Sequence, residues 1–518
     1  MRADSRRRGF ALAALCAVLF LTFLDNTIVS VSLADMQTSL RAGVSSLQWI
    51  VDGYMLAFAG LMLAGGTLGD LIGRRKVMLA GIAVFCAGSL VGALAPDTRW
   101  LIAGRVVMGV GAAACEPGTL SLLRQIYPER RERARALGVW TAVSGLSLAA
   151  GPVLGGVLVA TGGWRAIFWF NLAFGIAMFA AAAVTLPESS DPQGRRVDLP
   201  GLASGTVAVV AVTFAVIEGE NVGYRTWWIP VLFAVAAVAT VAFVAIEQRV
   251  PDPVLRLEFF RNRSFSGANT VAFASSFGLF GVFFFTALYL QVVGHFSGWR
   301  IAREFLAMAI AMIVAGLVSG RWTATRGARE PMAVGCVLAG GSMFVVDGFL
   351  SPNVPSVSLA AALAGVGFGL GLALVAVTAA VLAIVPAERS GMAASTLNTS
   401  RELGGVLSVA ILGAVINAQI VGELGRKLTE LGVSGPFRSL VLNAVTHGGL
   451  PANALAAAAA NPVAAANFGA VGTVLSDAEA AFGHGLHTAL VITAAVLLAG
   501  ALVGALGVGR ETTATPSR

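Results

Sequence analysis

Apolar runs recur along this chain from one end to the other, each about 20 residues long and so able to cross about 30 Å of hydrocarbon. That recurrence constrains the fold more than any other feature. A run inside lipid must satisfy its own backbone hydrogen bonds, which makes each one a helix. The runs lie approximately at 9–33, 48–69, 77–95, 101–123, 134–160, 166–186, 200–218, 227–247, 265–292, 303–320, 331–349, 356–384, 391–418 and 485–508. The expectation is an all-α membrane protein with fourteen transmembrane helices. Composition agrees: 12% of the 518 residues are charged and mean hydropathy is +0.82, against about 25% charged in a soluble domain.

The net charge of +8 does not point to nucleic acid, because the arginines sit in short loops between runs. With the N-terminus inside, cytoplasmic segments hold about 24 of the basic residues and outside loops about 9, as the positive-inside rule requires. Both termini are then cytoplasmic. The first segment, MRADSRRRGFALAALCAVLFLTF, imitates a secretory signal but continues to about residue 33, so it reads as an uncleaved first helix. Cys16, Cys86, Cys115 and Cys336 all fall within spans and read as small buried apolar residues. Lysine is confined to Lys76 and Lys427 while arginine is abundant, which suggests a GC-rich bacterial genome; for a multi-pass chain the expected location is then a bacterial plasma membrane. The one sizeable piece outside the spans is 419–484, rich in Ala, Gly and Val, read as a poorly ordered or partly helical outside loop.

The chain repeats itself at an offset of 254 residues. Gly66, Gly73, Arg75 and Gly81 correspond to Gly320, Gly327, Arg329 and Gly335, and Gly151 to Gly405. Spans 1–6 then repeat as spans 9–14. Residues 1–186 are expected to form an N-terminal six-helix bundle, 187–262 an inserted helix pair with its loops, and 263–518 a C-terminal six-helix bundle including loop 419–484.

Polar residues inside spans carry the chemistry. Asp25 lies within the first run, where a carboxylate costs roughly 2.5–3.5 kcal/mol. In span 4, Arg105 and Glu116 are eleven residues apart, on one face and about 16 Å from each other. Pro117 follows Glu116 and removes a backbone hydrogen bond. By residue count Asp25 stands about 6 Å to the outer side of mid-span and Glu116 about 6 Å to the inner side. Both are candidates to exchange protons and meet a solute, with a structural ion pair as the alternative. In span 13, Ser395, Asn398 and Glu402 share a face, and Arg401 points about 100° away from Glu402. These make Asn398, Arg401 and Glu402 candidate cavity residues. In span 9, Phe273, Phe277, Phe280, Phe283, Phe284, Phe285 and Tyr289 read chiefly as lipid-facing packing, with an aromatic cavity wall as the alternative.

Two glycine motifs stand out. GGTLGDLIGRRK joins spans 2 and 3: Gly66, Gly69 and Gly73 permit a tight turn and close helix approach, Asp70 can accept from helix-start N–H groups or an arginine, and Arg74 and Arg75 mark the inner side. In span 5, Gly145, Gly151, Pro152, Gly155 and Gly156 give a smooth face suited to sliding between bundles. The sequence has no GxxxxGK[ST], GxSxG or HExxH motif, and His295, His447, His484 and His487 form no metal spacing. No enzyme, no metal and no cofactor beyond an ion gradient is expected.

LDNTIVSVSL (24–33), GTLGDLIGRRK (66–76), the Arg105 helix, GLSLAAGPVLGG (145–156), WRAIFWFN (164–171) and LNTSRELGG (397–405) together resemble the major facilitator superfamily, in particular its drug:proton antiporters with fourteen spans. The resemblance implies two six-helix bundles about a central cavity, and export of small amphiphilic or drug-like compounds in exchange for protons by a monomer. It implies coupling at Asp25 and Arg105, a cytoplasmic latch at Asp70 and an antiporter motif at Gly151 and Pro152. Ala34 departs from the family pattern after span 1, as does FSGWRIARE, with Arg300, Arg303 and Glu304, after span 9. Proton-coupled uptake and a non-transporting scaffold or sensor are the alternatives.

Overall fold

The structure is a computed structural model that describes residues 2–42, 44–190, 198–294, 296, 298–350, 356–430 and 468–509. The helices are α1 (Arg2–Ile28), α2 (Leu33–Leu40), α3 (Val44–Ile72), α4 (Arg74–Leu94), α5 (Thr98–Ile126), α6 (Arg130–Gly162), α7 (Arg165–Thr185), α8 (Leu199–Val222), α9 (Trp228–Glu247), α10 (Glu258–Arg261), α11 (Arg263–Val292), α12 (Gly298–Arg326), α13 (Arg329–Gly348), α14 (Ser356–Ile384), α15 (Ser390–Glu430) and α16 (Phe468–Gly507). Among the described residues, 13 helices are long and apolar enough to cross a membrane. The span expected at 134–160 is the continuous 33-residue α6, about 50 Å long, which stands outside that set.

The helix pairings of the first bundle recur in the second. α3 packs on α5 as α12 packs on α14, α4 on α7 as α13 on α16, and α1 on α6 as α11 on α15. The 254-residue offset also holds in detail. Gly73 and Gly327 both adopt positive φ, at 127° and 89°, where a side chain would be strained. A Cβ on Gly66 would meet the Gly391 carbonyl of α15 at 2.6 Å, and one on Gly320 would meet the Ala134 carbonyl of α6 at 2.5 Å. Both are contacts between bundles. The bundles therefore meet along two seams, α3 with α15 and α6 with α12. The pair α8 and α9 packs on itself, and α8 lies against both α3 and α15.

One expectation is sharpened and two are revised. The stretch 419–484 starts and ends in helix, since α15 runs on to Glu430 and α16 begins at Phe468. The cause is an apolar stripe, Ile416, Ile420, Leu424 and Leu428, all buried at a spacing of four. Gln419 Nε2 also donates to Thr488 Oγ1 at 2.8 Å, tying the extension to α16. Residues 431–467, with His447, lie outside the described residues, as does His295.

The aromatics of span 9 face mainly inward. Phe277, Phe285 and Tyr289 are buried, and only Phe284 of the seven is markedly exposed, at 48%. The glycine face of span 5 is divided. Gly145 meets Met312 of α12, whereas Gly151 and Gly155 press on Thr27 and Ile28 of α1 in the same bundle, and a Cβ on Gly156 would meet nothing within 4 Å. The seam itself is built lower on α6, where Gly138 and Gly316 face each other's carbonyls. The side chain of Pro152 lies outside the described set.

Candidate functional site

Asp25 of α1 is completely buried. Its Oδ2 accepts from Arg105 Nη1 of α5 in a salt bridge, and its Oδ1 accepts from Asn171 Nδ2 of α7 at 2.7 Å. Arg105 also donates through Nε to the Ile50 carbonyl of α3 at 2.9 Å, and its guanidinium lies 4.3 Å from the centre of the Tyr54 ring. Tyr54 in turn donates to the Thr22 carbonyl at 3.3 Å. One carboxylate and one guanidinium thus fasten α1, α3, α5 and α7 together. Both charges are desolvated, and the hydrogen bonds are what make their burial tolerable.

Glu116 faces elsewhere. It lines a cavity of about 40 Å³ between the bundles, with Trp140 of α6, Met312 of α12, and Asn398, Arg401 and Glu402 of α15. That volume suits a few waters. The structure brings Glu116, Asn398, Arg401 and Glu402 to one cavity and leaves Asp25 and Arg105 out of its lining. Glu116 Oε2 has no hydrogen-bond partner among the described residues.

The local fold explains Glu116's position. Pro117 has no N–H to give the Ala113 carbonyl one turn back, and that carbonyl points at Gly65 of α3, where a Cβ would stand 2.1 Å from it. Thr119 donates to the Glu116 carbonyl at 2.7 Å and accepts from Trp140 Nε1 at 3.2 Å, joining α5 to the cavity wall.

Arg401 lines the cavity together with Glu402, while its hydrogen bonds go to other residues. It donates to Thr378 Oγ1 of α14 at 2.6 Å, to Asn398 Oδ1 at 3.3 Å and to the Leu374 carbonyl at 3.4 Å. The guanidinium also lies 5.8 Å from the Trp140 ring centre, across the seam. Ser395, on the face assigned to the cavity, sits against Gly66 instead.

The arginine-rich end is closed by Asp70. It accepts from Arg74 Nε at 2.9 Å and Nη2 at 2.7 Å, and from the backbone N–H groups of Gly391 and Met392 at 3.0 and 2.9 Å. The latter two are free donors in the first turn of α15, where an anion is favoured. Arg74 further donates to the Glu388 carbonyl at 3.0 Å and Arg124 to the Pro386 carbonyl at 3.3 Å, while Ser121 and Ser390 bond at 3.1 Å. Arg75 donates to the Ala183 carbonyl of α7 within its own bundle. Gly69 touches only the start of α4.

The family model of the Major Facilitator Superfamily matches residues 15–409. This chain belongs to the major facilitator superfamily. A methylenomycin A resistance protein of Streptomyces coelicolor is 35% identical over 82% of this chain and 89% of its own. The multidrug efflux pump LfrA of Mycolicibacterium smegmatis is 30% identical over 96% of this chain and 95% of its own. The structure of the proton:xylose symporter XylE has the same fold, with a TM-score of 0.62 at 12% identity, covering 96% of this chain and 95% of that one. The chain is thus a multi-pass membrane protein of this superfamily, built as two six-helix bundles with an inserted pair.

Sequence reading left several residues of this superfamily member without a role. Asn171 stood in a quoted motif, and an amide inside an apolar span was signal enough. Trp140, Thr378 and the Gly138–Gly316 contact carried no signal, because their partners lie on helices remote in sequence.

Proposed function

We propose that this chain exports small amphiphilic or drug-like compounds in exchange for protons by alternating access, and that it is a transporter and not an enzyme. The functions for which its relatives are named, methylenomycin A resistance and multidrug efflux, support export. The observation that carries the mechanism is the convergence of Glu116, Glu402 and Arg401, from opposite bundles, on one cavity. Two carboxylates, beside one arginine whose Nη1 and Nη2 donate to Asn398, Thr378 and Leu374, leave acceptor capacity for a proton or a cationic solute. Occupancy by one disfavours the other, which is the condition for exchange.

Glu116 is the proton-exchanging group in this reading, and Asp25 holds Arg105 and the first bundle in register. The arginine-rich end is the cytoplasmic one, both termini are cytoplasmic, and the Asp70 contacts are the inner latch. Residues 1–186 and 263–518 rock against each other, with 187–262 attached at the α3–α15 seam. Solute enters when the latch opens and leaves outward when it closes. A monomer and a proton gradient suffice, with no further cofactor.

The test uses membrane vesicles of known orientation with an imposed pH gradient. Solute accumulation on the proton-rich side supports antiport; accumulation on the opposite side indicates symport. Glu116→Gln should abolish gradient-driven movement, and retention of wild-type coupling in that variant would overturn the assignment.

A further inference from the structure

Glu304 of α12 is 1% exposed and does not line the central cavity. It belongs to an inward stripe with Met308, Met312, Ala315 and Ser319, all buried and spaced by three or four residues. Met312 is part of the cavity wall. Eight residues of helix place Glu304 about 12 Å from Met312, toward the end opposite the latch.

Its surroundings offer little to neutralise a charge. Glu304 Oε1 has no hydrogen-bond partner among the described residues, and Arg303 Nη2, on a side chain 60% exposed, stands 3.8 Å from it. The helices packed on α12 are α6, α11, α13 and α14. Their portions at this end, 145–162, 275–292, 338–348 and 356–370, contain no Asp, Glu, Lys, Arg or His apart from Asp347. Asp347 is engaged by His487 Nδ1 at 2.6 Å, and the Tyr289 ring stacks on Phe482 at 6.0 Å. On α12 itself Arg300 lies over the Phe296 ring at 3.5 Å. A buried carboxyl with a free oxygen inside a span is a docking point for a proton or a cation.

We propose that Glu304 is a proton way station between the outer medium and the central carboxylates, a role that rests on the exporter reading above. A hydronium ion from outside protonates the Glu304 carboxylate and leaves water. When the outer ends of the bundles part, the carboxylic acid gives that proton through water to the Glu116 carboxylate and returns to the anion. One O–H bond forms and one breaks at each transfer.

The experiment uses inside-out vesicles containing wild type, Glu304→Gln or Glu304→Asp, with ethidium as the probe solute. Gradient-driven ethidium uptake should fall about tenfold in Glu304→Gln and lose its dependence on luminal pH. Ethidium exchange without a gradient should stay within about twofold of wild type. In a solute-free measurement, infrared titration of the purified protein in bilayers should show a protonated-carboxyl C=O band that Glu304→Gln removes.

Wild-type coupling and pH dependence in Glu304→Gln, or an unchanged band, overturns the proposal. Loss of exchange in both variants also overturns it, because the residue is then structural. Wild type that moves ethidium regardless of pH sinks the exporter reading, whereas a titrating Glu304 band still supports proton binding at this residue.

Discussion

The carboxylate of Asp70 on α3 accepts the backbone N–H of Met392 on α15 at 2.9 Å, reaching across the seam from one bundle to the first turn of a helix in the other. The same carboxylate accepts from Gly391 and Arg74. Hydrogen bonds to a charged group contribute about 1.5–3 kcal/mol each. Asp70→Asn replaces one acceptor oxygen by a donor that faces other donors. The conformational balance should shift toward the state open at this end. Spin labels at the exposed positions Lys76 and Glu388 should report a longer distance in the variant, with reduced transport.

The α6–α12 seam predicts a steric contrast. Gly316 has the Gly138 carbonyl 3.2 Å from where a Cβ would stand, and Gly138 has the Gly316 carbonyl at 2.8 Å. Gly138→Leu should separate the helices and abolish transport while the protein still inserts. Gly156→Ala, with nothing within 4 Å, should transport like wild type. Efflux assays at matched expression compare them.

Asp25→Asn should destabilise more than its small change in shape suggests. It strands the buried Arg105 guanidinium, and breaking a buried pair from one side costs about 3–5 kcal/mol. Removing the charge on both sides, in Asp25→Asn with Arg105→Gln, should recover part of the loss. Thermal unfolding in detergent measures both. Stability in the double variant no better than in the single one would refute the ion-pair account.

Gly73→Ala should weaken the turn between α3 and α4. The backbone φ of 127° is strained for any side chain, and the Glu188 Oε1 atom would stand 2.8 Å from the new Cβ. Such a position costs about 1–3 kcal/mol. The expected readout is a lower melting temperature together with weaker latching, while Gly69→Ala, whose contacts are at 3.9 Å, should be tolerated.

Much of the architecture was legible because hydrocarbon imposes simple rules. Span length, basic loops and the repeat of Gly66, Gly73 and Gly151 at Gly320, Gly327 and Gly405 reflect constraints that act on each segment separately. The candidate site was legible only as a set of suspects. Asp25 and Glu116 looked equivalent, since each is a lone carboxylate in an apolar run.

The sequence by itself determined an all-helical membrane protein of two similar bundles, because every buried backbone group must be satisfied within its own segment. It also determined which side chains were too polar to face lipid. Only the tertiary structure decided their partners: Asp25 with Arg105 and Asn171, Asp70 with the start of α15, and Glu116 with the far bundle's Arg401 and Glu402 around one cavity. The physical reason is that a charge in low dielectric is governed by groups within a few ångströms, and those groups come from helices up to hundreds of residues apart.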